Sequence, residues 1–255
     1  MTKLLTLLFF GLVLTSCDET KPKDVPIIDE SQIEERPQDL ETYAKRHVTS
    51  YLRIPANEKF TMSIHRANLD GDEKEDAIIL VNRQQFAMDE AASSPNPAKR
   101  AEMGFMGNYN HFFYYDGGMH LISPAFTIPS SPLLPLTVEF KSISSPNHDD
   151  VVLVYRIRNA AYYDLYTIRE HTPRRIFQWK QFDGLGTANP EAYSLEIRNN
   201  EKSPYKDILV METTAPSLPK DSNSFTYVPR IEPGKKELYR FFYLKKEQKY
   251  VTERN

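Results

Sequence analysis

Between Leu40 and Leu52 the apolar positions Leu40, Tyr43, Ala44, His47, Val48, Tyr51 and Leu52 stand at offsets 0, 3, 4, 7, 8, 11 and 12. That spacing lines one face of a helix. Glu41 lies four residues before Lys45, which supports the same element, and Pro55 stops it. The pattern predicts an amphipathic helix over 38–53. His47 sits on its apolar face, where it reads as a packed core histidine. From Phe60 onward the period falls to two, the side-chain alternation of a strand. Aromatic and β-branched residues dominate there, and prolines and polar clusters punctuate them.

The alternating segments repeat. An aspartate opens an apolar burst at "EDAIILV" (Asp76), "DDVVLVY" (Asp150) and "KDILVME" (Asp207). Each burst follows an alternating strand: "FTMSIH" from Phe60, "LTVEFKSI" from Leu136, "YSLEIR" from Tyr193. Each precedes an aromatic strand, "HFFYYDGG", "AYYDLYTI" or "ELYRFFYL", and then a short closing one, "MHLIS", "RRIFQW" or "KYVTE". The prediction is a mainly β domain over 38–255. It holds three tandem four-stranded antiparallel meanders, repeat one at 59–126, repeat two at 134–183 and repeat three at 190–255, plus the N-terminal helix. Such meanders are the blade unit of β-propellers, which close with four blades or more. Three blades are expected to stay open, either as a stack or as a curved sheet with the helix over one edge.

The first seventeen residues, "MTKLLTLLFFGLVLTSC", follow neither pattern. Lys3 precedes an apolar run from Leu4 to Leu14, too short for a bilayer span but suited to a secretory signal. "LTSC" at Leu14–Cys17 resembles the lipobox of bacterial lipoproteins. The resemblance implies a signal peptide over 1–16, covalent lipid on Cys17, and an extracytoplasmic place in the bacterial cell envelope, with inner and outer membrane both open. Cys17 is the single cysteine, so an intrachain disulfide is excluded, whereas an anchor needs one thiol. Residues 17–37, charged and proline-bearing without a buriable face, read as a flexible tether.

One short stretch points to metal chemistry. In "NLDGDEKED", Asn68, Asp70, Asp72 and Asp76 occupy positions 1, 3, 5 and 9 of a loop between two strands, and the backbone carbonyl of Lys74 stands at position 7. The spacing resembles the calcium loop of integrin-type FG-GAP repeats, which implies Ca2+ held by Asn68, Asp70, Asp72 and Asp76. The Lys74 carbonyl adds an oxygen toward the six to eight a calcium ion takes. Asparagine replaces the first acid, and Glu73 stands where the pattern has glycine. The equivalent positions before Asp150 (Ser142, Ser144, Pro146) and Asp207 (Asn199, Glu201, Ser203) lack the ligand set. A solvated acidic turn with Asp76 capping the strand is the other reading, and both stay open here.

Composition narrows the function classes. Hydrophobic residues make up 40% of the chain, enough for a substantial core, and the formal charge of −3 disfavours nucleic acid as a partner. No HExxH, GxSxG, CxxC, Walker or GxGxxG pattern occurs, and the six histidines are scattered. Two insertions, 84–108 and 213–236, follow the second strands of repeats one and three. Long loops on a rigid β scaffold are where binding concentrates. "MGFMGNY" carries Met103, Phe105 and Met106, read either as exposed contacts or as a core plug. The expectation is a non-enzymatic binding or scaffolding lipoprotein, with a protein or glycan partner at these insertions. An envelope hydrolase with a dispersed site is the alternative.

Overall fold

The computed structural model describes residues 39–102 and 106–252. Asp39 caps helix α1 (Leu40–Tyr51), its carboxylate accepting the amide hydrogens of Glu41 at 3.2 Å and Thr42 at 3.0 Å. Three antiparallel meanders follow, each called a blade here. Blade one is β1 (Thr61–Ala67), β2 (Asp76–Asn82) and β3 (Gly107–Asp116), with β4 (Leu121–Ile122) and β5 (Phe126–Ser130) both on the far edge of β3. Blade two is β6 (Thr137–Lys141), β7 (Asp150–Ile157), β8 (Ala160–Arg169) and β9 (Thr172–Asp183). Blade three is β10 (Glu191–Arg198), β11 (Asp207–Glu212), β12 (Lys236–Leu244) and β13 (Lys249–Thr252). The fold is mainly β, the helix and the three meanders stand where the alternation put them, and the sheets do not close.

Two local differences from the sequence reading have physical causes. The closing strand of blade one is split. Ser123 pairs with Tyr114 through both backbone and side chain (2.8 and 2.9 Å), and Pro124, with no amide hydrogen, interrupts the ladder before β5 resumes it. The insertion at 84–108 contains helices α2 (Gln84–Ser93) and α3 (Pro97–Glu102) rather than loop alone. Ala87 and Ala91 bury the inner side of α2, and Tyr109 donates to Glu90 at 2.9 Å. Arg83, just before α2, makes two 2.6 Å bonds to Glu58 and stacks over Phe86.

The blades stack face to face. Ala44 and Val48 of α1 cover Ile79, Val81 and Phe113 on the outer face of blade one. The opposite face, with Ile78, Leu80, Phe112 and Tyr114, meets Val151, Leu153, Tyr155 and Tyr166 of blade two. The far side of blade two, with Val152, Leu165 and Phe177, meets Ile208, Val210, Tyr243 and Tyr250 of blade three. Strand β2 is therefore buried at every position, since both its faces are covered. Blades two and three also form one continuous eight-stranded sheet, joined by the β9–β10 pairs Asp183–Glu191 and Phe182–Ala192. The outer face of blade three carries Glu196, Arg198, Glu237 and Arg240 in ion pairs, over a fully buried Leu209.

His111 on β3 is buried, with Nδ1 3.0 Å from Thr127 Oγ1 and Nε2 without a protein partner. Burial, aided by nearby Arg83, pushes its pKa down from 6.5 to about 4. Burial also lowers that of His47, which packs edge-on against Phe113. In the unfolded chain both protonate near 6.5, so the unfolded state binds more protons and stability falls as pH drops from about 6.5 toward 4. His111→Gln is expected to remove about 2–3 kcal/mol of that acid sensitivity. Urea midpoints measured across this range on both proteins check it.

Candidate functional site

The second strand of every blade starts with an aspartate whose carboxylate reaches back seven residues. Asp76 accepts the amide of Leu69 at 2.9 Å, Asp150 that of Ile143 at 3.1 Å, and Asp207 the side-chain amide of Asn200 at 2.8 Å. Asp76 also accepts the Gly117 amide at 3.0 Å. Asp150 also takes the Ser144 amide at 2.5 Å and the Ser144 hydroxyl at 2.6 Å. A buried carboxylate needs such donors. The repeated aspartate is thus a brace that curls each first turn back onto its strand. Burial still raises the Asp76 pKa, against the pull of the Gly117 and Leu69 amides.

The braces also align the blades. The Asp149 amide donates to the Asn68 carbonyl at 2.9 Å, joining the first turns of blades one and two. The Lys206 amide donates to the Ile143 carbonyl at 3.0 Å, joining those of blades two and three. All three braced turns therefore lie at one end of the stack. Antiparallel connectivity sends the insertions after β2 and β11 to the other end.

Within the acidic loop most predicted ligands serve the turn. Asn68 accepts the Gly71 amide at 3.0 Å and donates to the Asp72 carbonyl. Asp70 accepts the Asp72 amide at 3.0 Å, and Asp72 accepts that of Lys74 at 2.6 Å. Lys74 thus enters the network through its N–H. The left-handed residue is Gly71, at φ 88°, so Glu73 at position 6 costs the turn nothing.

Asp70 has a second set of neighbours that its own loop does not contain. Asp70, Asp116 and His171 each bring one ligand atom within 4.8 Å of the others. Asp116 ends β3 with its side chain 4% exposed; it accepts the Met119 amide at 2.7 Å and lies 2.6 Å from His171 Nδ1. His171 projects from the two-residue turn between β8 and β9, where Glu170 and His171 both take positive φ (48° and 59°). Tyr114 donates to Asp70 at 3.4 Å, and burial together with Asp76, Asp70 and Asp116 pushes its hydroxyl pKa far above the ordinary value.

The adjacent glycines make room for this crowding. A Cβ on Gly117 would stand 2.2 Å from the Glu75 carbonyl, and one on Gly118 would stand 2.5 Å from Asp72 Oδ2 and 3.4 Å from Asp116 Oδ1. Neither glycine needs an unusual φ; both allow close approach. Among the described residues, the imidazole of His171 stands 2.6 Å from the Asp116 carboxylate.

Asp116 and His171 escaped the sequence reading because they lie 46 and 101 residues beyond Asp70. The available signal was strand parity, which sends the β3–β4 and β8–β9 turns to the same end as the acidic loop. Asp164 centres a further buried carboxylate network. It receives Tyr155, Tyr166, Gln178 and Arg175 at 2.8–3.3 Å, so its oxygens are fully engaged. Cys17, Met103 and Phe105 lie outside the described residues, while Met106 is 47% exposed.

In comparisons with known proteins, no family model, no curated protein and no solved structure matches the chain. The brace makes its own prediction. Asp150→Ala strands two buried amide hydrogens and should cost about 2–5 kcal/mol in chemical unfolding. Asp207→Ala, which releases the Asn200 side-chain amide and the half-exposed Arg240 3.9 Å away, should cost about 1–2 kcal/mol.

Proposed function

We propose that the chain is a lipid-anchored protein of the bacterial cell envelope that works by binding, with the insertions at 84–108 and 213–236 as its contact face. The observation that carries this reading is the division of the stack into two ends. One end is spent on braced turns. The other carries both insertions, and each is fastened to the scaffold rather than draped over it.

Arg83, paired with Glu58, anchors the root of the first insertion. Arg156, 6% exposed, donates to the carbonyls of Ser224 at 2.7 Å and Tyr227 at 2.9 Å and stacks over Phe182, pinning the second. A buried guanidinium used to hold a strand-free segment costs desolvation, and a fixed contact loop is what it secures. Cys17 supplies the anchor in this reading.

The proposal includes a structural divalent cation at the braced end. The calcium expected at Asn68, Asp70, Asp72, Asp76 and the Lys74 carbonyl fits less well than a cation between blades, because the single side-chain oxygen of Asn68 and both oxygens of Asp76 accept backbone amides, whereas Asp70 and Asp116 each give only one oxygen to such a donor. Two carboxylates and an imidazole suit an ion that accepts nitrogen, such as zinc, better than calcium, which takes oxygens. Asp70, Asp116 and His171 would hold it. It would offset the crowded carboxylates.

Chemical crosslinking in native envelopes tests the binding reading. The wild type should capture a partner, deletion of residues 95–102 should abolish capture, and unchanged capture would rule that insertion out. Cys17→Ser should lose palmitate labelling and detergent partitioning; retention of both would remove the anchor. For the cation, binding at a hundredfold excess over Kd stabilises by about 2.7 kcal/mol. Zinc should therefore raise the melting midpoint by several degrees, His171→Ala should remove the rise, and calcium should do less. Equal melting in zinc and in chelator would strike the metal from the account.

A further inference from the structure

An open stack leaves sheet edges, and the edges of this molecule are not treated alike. Exposed edge strands invite pairing, and proteins blunt them with short length, charge, proline or bulges. Strand β4 has two residues, and β5 contains Pro129. Strand β13 has four residues and opens on Lys249, while β6 carries Glu139 and Lys141, paired at 2.7 Å. Strand β1 has none of these devices along most of its length. It runs seven residues, "TMSIHRA", lacks proline, and pairs with β2 in unbroken register from Thr61–Asn82 to Ala67–Asp76. Its charge, Arg66, stands near one end and is tied to Glu75.

Helix α1 does not close this edge. A groove of about 810 Å3 separates the helix stripe Glu41, Lys45 and Thr49 from Phe60 and Met62. It continues past Lys59 and Phe60 into a second hollow of about 270 Å3 walled by Gln84, Gln85 and Met88. The lining is mixed, with Ile54, Pro55, Phe60 and Met62 as its apolar part, and the rim charge is positive. Lys45 and Lys59 stand against Glu41, since Glu58 is neutralised by Arg83. A free strand edge, an adjoining groove that takes alternate side chains, and a charged rim are the parts needed for recognition by strand addition.

We propose that β1 and its groove accept an extended peptide segment of a partner protein as an added strand. The segment carries apolar side chains at alternate positions and an acidic residue that meets Lys45 and Lys59. This inference shares with the preceding reading the premise that the chain binds, but it places a second contact away from the second insertion and at the root of the first.

The probe is a fluorescein-labelled peptide, Glu-Val-Thr-Val-Thr-Val-Glu, titrated against the full detergent-solubilised chain and read by anisotropy and by amide hydrogen exchange. It should saturate below about 1 mM, and exchange over 61–67 should slow. Methylating alternate peptide amides should weaken it at least about tenfold. The double variant Lys45→Glu/Lys59→Glu should weaken it about tenfold and favour a lysine-flanked peptide instead.

Equal binding of the methylated peptide, no saturation, or protection elsewhere would overturn the proposal. So would slowed β1 exchange that depends on protein concentration without peptide, because a second copy would then own the edge. Deleting residues 95–102 should leave peptide binding unchanged. Loss of envelope capture with intact peptide binding therefore faults neither site, and failure of the peptide leaves the insertion reading standing.

Discussion

Every blade depends on a negative charge that has been taken out of water. Asp76 and Asp150 are fully buried and Asp207 nearly so, and each must find hydrogen-bond donors where its strand begins. A donor comes each time from the turn seven residues earlier, a backbone amide for Asp76 and Asp150 and the Asn200 side chain for Asp207, so each turn folds back onto its strand. The folded-back turns then reach one another through the Asn68–Asp149 and Ile143–Lys206 backbone bonds. Blade alignment at one shared end follows from that requirement, and antiparallel connectivity then sends the insertions to the other end.

A repeat stack must also end, and its two ends are finished by different means. The outer face of blade one stays apolar and is covered by α1, with Val48 and Phe113 sealed inside. The outer face of blade three is finished by its own side chains, since the ion-paired Glu196, Arg198, Glu237 and Arg240 shield Leu209. Polar outer faces on terminal repeats keep such arrays soluble. Both finishes cover a face that a fourth blade would need, and this is the physical reason the stack remains open.

Much of the architecture was legible because burial imposes period two on strands and 3.6 on the helix. The opening aspartates were visible too, since an acid at the head of an apolar run is conspicuous. The use made of them was harder to read. Asn68, Asp72 and Asp76 have the spacing of cation ligands, yet in the fold their oxygens take amide hydrogens from their own turn or from Gly117. Spacing cannot say whether an oxygen faces an ion or a nearby N–H. Helix α2 was hidden because its buried residues, Ala87 and Ala91, are small and leave a weak stripe. The Asp70–Asp116–His171 group was hidden because it forms only when two blades dock.

Blade three is attached to blade two in an unusual balance. Two residue pairs continue the ladder across the seam, while Phe177, Trp179, Tyr193 and Phe241 pack between the faces. The joint therefore rests on the burial of aromatic surface far more than on backbone hydrogen bonds. Burial of that kind loses strength on cooling. Low temperature thus weakens this seam, as it does the apolar interface of blades one and two, which share no ladder pairs, while the ladders inside each blade remain intact.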